Sequence, residues 1–314
     1  MAPQTDIPGE QRPLKAKKIL LVALKLVVSG GLLYAIISKT GIQKLTTTLQ
    51  GINAFYFLIA SLIYISSVFL SSLRWRLLLS EDFAIGKLFS LYMIGSFFNN
   101  ILPGIVGGDA IKAYYLYRST GKSGPAVASV FLDRYVGFSA LLALGLIAYP
   151  FGFRYFRGSY IEWTLPFIVA LFIIASFLTI GLRLGGRIGL LGELYNYFSL
   201  YKSKGRVVIQ TFSISLVIQV LNVFAVFLVS SGLAVAVPLL SLFIFVPIIA
   251  TLATLPVSIS GLGVREASFV LLLGFLGIPP IQATAVSLAW FLSVALGSLP
   301  GLVMYLLYRP AGAR

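Results

Sequence analysis

Apolar runs of about twenty residues recur along almost the whole chain, and Lys or Arg gathers at their ends. As a helix, such a run spans the roughly 30 Å hydrocarbon core of a bilayer. Lipid tolerates only structures that satisfy every backbone N–H and C=O internally, which leaves helices and closed barrels. Barrel strands alternate apolar and polar residues over short segments, whereas these runs are continuous. The chain therefore reads as an all-α polytopic membrane protein. Only 11% of its residues are charged, against roughly 25% in a soluble domain, and no polar interval is long enough to build one.

The pattern predicts spans at about 19–37, 52–73, 85–100, 125–148, 165–182, 207–230, 239–255 and 281–307, with short helices at about 109–118 and 264–274. Residues 1–18 form a basic tail and 309–314 a short C-terminal one, leaving 19–308 as a single membrane domain. The basic interval 183–206 carries Leu191, Leu194, Tyr195, Phe198 and Tyr201 at helical spacing and reads as an amphipathic interfacial helix. Arg74-Trp75-Arg76 reads as an interfacial anchor of cation and aromatic.

The net charge of +15 is distributed as a topology signal, so no nucleic-acid partner is expected. With the N-terminus cytoplasmic and two broken elements returning to the side they entered from, sixteen Lys and Arg lie in cytoplasmic segments. Only Lys39, Lys44, Arg154 and Arg157 lie opposite. This bias supports both termini being cytoplasmic. The chain has no Cys and no His, which removes thiol chemistry, haem and the usual zinc sites. No cofactor is expected, and no nucleotide-cradling glycine loop is present.

The two broken elements share a grammar. The first is Asn99-Asn100-Ile101-Leu102-Pro103-Gly104-Ile105-Val106-Gly107-Gly108-Asp109-Ala110-Ile111-Lys112. The second is Leu255-Pro256-Val257-Ser258-Ile259-Ser260-Gly261-Leu262-Gly263-Val264-Arg265-Glu266. Each reads as a re-entrant helical hairpin, and their opposite entry sides point to an inverted repeat with a central site. The second helix of each hairpin would point its N-terminus and unpaired N–H groups at the midplane, a setting that attracts anions. Gly107, Gly108, Gly261 and Gly263 would let a ligand approach the backbone. Asp109 and, more weakly, Ser260 fit the N-caps, with Ser258 beside them. Asn99 and Asn100 either cap the broken end or contact a headgroup.

Charges at membrane depth are expensive and need partners. Lys112 lies one turn from Asp109 and can reach it or an anionic ligand. Asp133 and Arg134 are adjacent, as are Arg265 and Glu266, and adjacent helical residues point about 100° apart. Cross-pairing is therefore expected: Asp133 with Arg265 or Lys112, and Glu266 with Arg134.

Jointly these motifs resemble the transmembrane domain of the lysylphosphatidylglycerol synthase/flippases, also seen as stand-alone flippase-like membrane proteins. The matching features are Arg74-Trp75-Arg76, Asn100 to Gly104 with Gly107-Gly108-Asp109, Leu132-Asp133-Arg134, and Pro256 to Glu266. The resemblance implies a cytoplasmic (inner) membrane protein of about eight helices with re-entrant segments, and translocation of a modified or anionic lipid between leaflets. The chain stops at Arg314 without the soluble domain that transfers lysine in the synthases, so the flippase-like part alone is expected. The resulting reading is a lipid translocase, not an enzyme. Its partner would be an anionic or modified phospholipid or a polyprenyl-linked lipid, and its oligomeric state is open. The alternatives are a membrane enzyme acting on a lipid-linked substrate and a proton-coupled transporter of a small anion.

Overall fold

The computed structural model describes residues 41–101, 107–153, 157–181, 189–202, 204–255, 258 and 261–308, with scattered positions between 27 and 38. Among the described residues the regular structure is helical throughout, without strands. In chain order the helices are α1 (Ile42–Gln50), α2 (Ala54–Leu77), α3 (Ile85–Ile101), α4 (Gly107–Thr120), α5 (Ser123–Gly152) and α6 (Thr164–Ser176). They continue as α7 (Gly189–Lys202), α8 (Gly205–Gly232), α9 (Leu239–Thr254), α10 (Val264–Gly274) and α11 (Pro280–Leu307). Five described segments are long and apolar enough to cross a bilayer: α2, Ile161–Thr179 (which contains α6), α5, α8 and α11.

These bounds follow the apolar pattern closely. The expected first span lies mostly outside the described residues. Helix α1, with Leu45 as its one buried side chain, is nine residues long and mostly polar, too short for a membrane-length apolar run to reveal it in advance. The span expected at 165–182 ends in a π-helical turn, Phe177–Gly181. Helix α5 runs four residues past its expected end, through Pro150.

Both expected interruptions separate a helix pair, α3 from α4 and α9 from α10. Asn99 of α3 bonds to Gly108 of α4, while Gly95, one turn earlier, lies against Gly108 and Lys112. The first pair therefore folds back antiparallel. Its two ends meet at one side of the molecule, where Lys122 Nζ, just past α4, bonds to Glu81 Oε1, just before α3, at 2.9 Å.

The packing is that of a two-fold repeat. Helix α2, the α3–α4 hairpin and α5 make one half; α8, the α9–α10 hairpin and α11 make the other. Helix α3 packs on α11 as α9 packs on α5, α4 packs on α5 as α10 packs on α11, and α2 meets α11 as α8 meets α5. Even the close approaches correspond: Gly301 of α11 backs onto Met93 of α3, and Gly145 of α5 backs onto Pro247 of α9. The equivalent helices α2 and α8 lie against each other and run antiparallel. The Asn53 N–H donates to the Gly232 carbonyl at one end, and Arg74 Nη1 donates to Ser215 Oγ at the other. The halves are therefore inverted.

Where α2 and α8 meet, Ala60, Ala225, Ala289 and Gly232 bring backbones close, the small-residue packing that membrane helices use in place of a hydrophobic drive. Leu142 of α5 and Leu165 of α6 pack with Phe245, Ile249 and Phe269 of the second half into one apolar core. The first half is built around Trp75, Leu88, Leu91, Tyr92 and Met93. The large apolar side chains exposed on α6, Phe167, Leu171 and Ile174 among them, suit a lipid-facing surface.

Candidate functional site

Three cations and two carboxylates are gathered inside the first half. The deepest pair joins α2 to α5: Arg74 Nε lies 2.7 Å from Asp133 Oδ1, and the Asp133 side chain has no exposure. Tyr92 of α3 donates its hydroxyl to Asp133 Oδ2 at 2.8 Å. Arg74 also donates to Ser215 of α8 at 2.9 Å. Gly137, one turn beyond Asp133 on α5, is needed here, because a Cβ would press against Arg74 Nη1. A buried charge pair is tolerated only when its remaining donors and acceptors are met, and four helices supply them.

The second pair of cations shares one acid. Asp109, in the first turn of α4, accepts Arg134 Nε on Oδ2 at 2.7 Å and Arg134 Nη2 on Oδ1 at 3.1 Å, a bidentate grip. Lys112 Nζ lies 2.9 Å from the same Oδ1 with its side chain 1% exposed, yet no aligned hydrogen bond reaches the ammonium. The rings of Tyr92, 3.9 Å from Nζ to the centroid, and of Trp75, at 5.5 Å, make a cation–π box around it. Trp75 is itself fixed by donating Nε1 to Ser129 Oγ. The Lys112 stem runs across Gly95, where a Cβ would collide with it.

Arg134 differs from its neighbours in being half exposed, at 50% of its side chain. It lies about 16 Å along α5 from the helix start at 1.5 Å per residue, well inside a bilayer-length helix. A half-exposed cation at that depth must have water or a polar headgroup beside it, since bare hydrocarbon would be costly.

The second half carries a different arrangement at the matching place. Asp109 and Glu266 both occupy the third position of the second hairpin helix. Glu266 turns back on its own helix start, accepting the Gly263 N–H on Oε2 at 2.6 Å, the carboxylate half of a capping box. Its Oε1 accepts Arg265 Nη2 at 2.6 Å and the Ser287 hydroxyl at 3.1 Å. Arg265 stacks on the Phe291 ring, 4.6 Å from its centroid. One turn on from Glu266, where α4 has Lys112, α10 has Phe269, packed on Trp290. This cluster is electrically neutral, one cation set against one carboxylate.

A family model described as the lysylphosphatidylglycerol synthase TM region matches residues 22–301, nearly the whole chain. The chain belongs to that family. Among similar proteins is the UPF0104 membrane protein MJ1595 of Methanocaldococcus jannaschii, 27% identical over 168 residues, covering 50% of this chain and 49% of that protein. The UPF0104 membrane protein PH1989 of Pyrococcus horikoshii is 25% identical over 139 residues, covering 42% and 40% respectively. The chain thus spans about half the length, or less, of the curated relatives it matches.

Within this lysylphosphatidylglycerol synthase TM-region fold, several expected site residues take other roles. The cross-pairing between clusters does not occur. Asp133 pairs with Arg74, Arg134 with Asp109, and Arg265 with its neighbour Glu266. The two clusters share no hydrogen bond or ion pair among the described residues. Adjacent helical positions do diverge, but the Glu266 carboxylate folds back toward Gly263 and the long Arg265 stem follows it.

Three of the four glycines expected to admit a ligand, Gly108, Gly261 and Gly263, have protein against them. A Cβ on Gly108 would collide with the Gly95 carbonyl, one on Gly263 would press on Leu32 and the Ser29 carbonyl, and one on Gly261 would sit tightly against Ala253. Gly261 and Gly263 also hold φ of +77° and +82°, the left-handed region that favours glycine. Gly107 opens α4. Asp109 is not the N-cap residue; Asn99 takes that work across the hairpin, accepting the Gly108 N–H on its side chain at 2.8 Å. Asn100 ties α3 to Ser298 of α11. Ser258 is buried, and its hydroxyl has no hydrogen-bond partner among the described residues. Ser260 and the Pro103-Gly104 and Pro256 breaks lie outside the described residues.

Arg74, Trp75 and Tyr92 were not expected in the site. Arg74 and Trp75 were read as an interfacial anchor, yet they are 4% and 0% exposed. The available signal was Asp133 itself, an acid at membrane depth whose partner had to come from some other helix.

Proposed function

We propose that this chain translocates a phosphate-bearing anionic or modified lipid, a phospholipid or a polyprenyl-linked one, between the leaflets of the cytoplasmic membrane. The headgroup leaves chemically unchanged. The observation that carries the reading is Arg134, a cation whose side chain is half exposed at bilayer depth and which Asp109 holds from behind. A polar headgroup could meet it while the tails stay in lipid. The inverted pair of broken hairpins supports the same reading, since such repeats let one half rock against the other around a fixed site. Family membership supports a lipid-related role, and the excess of Lys and Arg on one side supports both termini being cytoplasmic.

Reconstitution tests it. Proteoliposomes carrying tail-labelled phosphatidylglycerol, and in a parallel set a labelled polyprenyl phosphate, are exposed to an impermeant quencher. Quenching beyond the outer-leaflet share, with headgroups intact by mass spectrometry, is the expected result. Quenching equal to protein-free vesicles for both lipids would refute the proposal, and a changed headgroup mass would replace it with an enzyme.

A further inference from the structure

The two halves of the repeat spend their charges differently, and the difference points to what the site takes. The second-half cluster sets one cation, Arg265, against one carboxylate, Glu266, with Ser287 and the Gly263 N–H completing it. The first-half cluster sets Arg74, Lys112 and Arg134 against Asp109 and Asp133. It is short by one negative charge. The other described acids do not make up the deficit: Glu81 pairs with Lys122, Asp82 with Arg76, and Glu162 accepts the Gly158 N–H.

The surplus is not spread evenly. Arg74 is fully engaged by Asp133 and Ser215. Lys112 is buried with no aligned acceptor for its ammonium, and the two rings and the Gly95 backbone leave it no room to swing. Arg134 gives its Nε and Nη2 edge to Asp109, while its Nη1 has no partner among the described residues and its side chain is half exposed. The positive charge that can be reached from outside is therefore the outer edge of Arg134, with Lys112 adding a fixed field behind it.

We propose that the first-half cluster binds one singly charged phosphate diester on the outer edge of Arg134, with Asp109 as the internal carboxylate that the phosphate partly displaces. Lys112 keeps Asp109 in place when Arg134 turns outward, so the acid is never left as an unpaired buried charge. The second-half cluster is a structural clasp, its one cation already balanced by its one carboxylate and its Arg265 side chain only 10% exposed. Identification of the diester as a lipid headgroup rests on the translocase reading; the anion site does not.

The test uses the purified full chain in an uncharged detergent, titrated calorimetrically with dihexanoyl-phosphatidylglycerol, dihexanoyl-phosphatidylcholine and inorganic phosphate. Phosphatidylglycerol should bind at one per chain and the zwitterionic lipid about tenfold more weakly or worse. R134Q should weaken phosphatidylglycerol binding by about ten- to a hundredfold, the worth of a charge-assisted hydrogen-bond pair, and R134K by less. D109N should act in the opposite direction, tightening binding severalfold because it raises the site's net charge. That opposed sign separates ligand binding from a structural role, which would weaken binding in both. If R134Q fails to fold, R134K and D109N still carry the contrast.

Unchanged binding in R134K and R134Q, or D109N weakening in step with them, would overturn the proposal. Inorganic phosphate binding as tightly as phosphatidylglycerol would uphold the anion site and overturn the lipid headgroup as its source. Binding as described in a chain that flips neither labelled lipid would uphold the anion site and remove the translocase reading. Flipping abolished by R134Q with binding intact would overturn this assignment alone.

Discussion

Replacing Asp133 by Ala should cost about 3–5 kcal/mol of folding stability, the range for breaking one partner out of a buried ion pair. The carboxylate is fully buried and accepts from two side chains, Arg74 Nε at 2.7 Å and the Tyr92 hydroxyl at 2.8 Å. Without it, Arg74 keeps the Ser215 hydroxyl and a long 3.5 Å contact to Tyr92, neither of which carries charge. Native proteins are stable by only about 5–15 kcal/mol, so this change takes a large share. The compensating change is R74M, which removes the stranded cation and leaves an apolar side chain of similar length. The double variant R74M/D133A should therefore be more stable than the sum of the singles by about 2 kcal/mol or more, since neither charge is left alone. The assay is reversible unfolding in mixed micelles titrated with a denaturing detergent, followed by circular dichroism. A D133A penalty below about 1 kcal/mol, or singles that add to within about 0.5 kcal/mol, would refute the account of α2 and α5 as joined by this pair.

The remaining predictions concern packing. Gly108→Ala should lower the melting temperature sharply, because its Cβ would collide with the Gly95 carbonyl and force α3 from α4, an overpacking cost of about 1–3 kcal/mol. Gly86→Ala, where nothing lies within 4 Å, should be neutral or slightly stabilising in the same melt. Tyr197→Phe should lose about 1–3 kcal/mol in that melt. Tyr197 is buried and donates its hydroxyl to the Leu78 carbonyl at 2.6 Å, latching α7 to the end of the helix that carries Arg74. A melt unchanged from wild type would show that the latch is not needed.

Much of this architecture is legible in the sequence, because hydrocarbon leaves few choices. A continuous apolar run at membrane depth must be a helix, so α2, α5, α8 and α11 could be placed within a few residues. Pro alone does not break a span, since α11 runs through Pro300-Gly301. Pro followed by a stretch of small residues and then charge marked the two interruptions, so the hairpins could be expected. Their shared grammar announced the repeat, and the acids at the third position of α4 and α10 marked where the charges would gather.

The partners of those charges were decided only by the tertiary structure. Spacing along one helix tells which residues share a face, but the approach of α2 to α5 is set by Gly137, Ser215 and the packing of four helices. Arg74 at a span's end has the same local sequence whether it faces water or a carboxylate. A glycine likewise looks the same in sequence whether it admits a ligand, a neighbouring carbonyl or a positive φ. At Gly108, Gly261 and Gly263 the neighbour was protein. What the sequence by itself determined was the set of helices and the presence of buried charge. Which half of the repeat keeps that charge in surplus depended on how side chains from distant segments meet, because a Coulomb or hydrogen-bond partner is chosen by distance in space and not by distance along the chain.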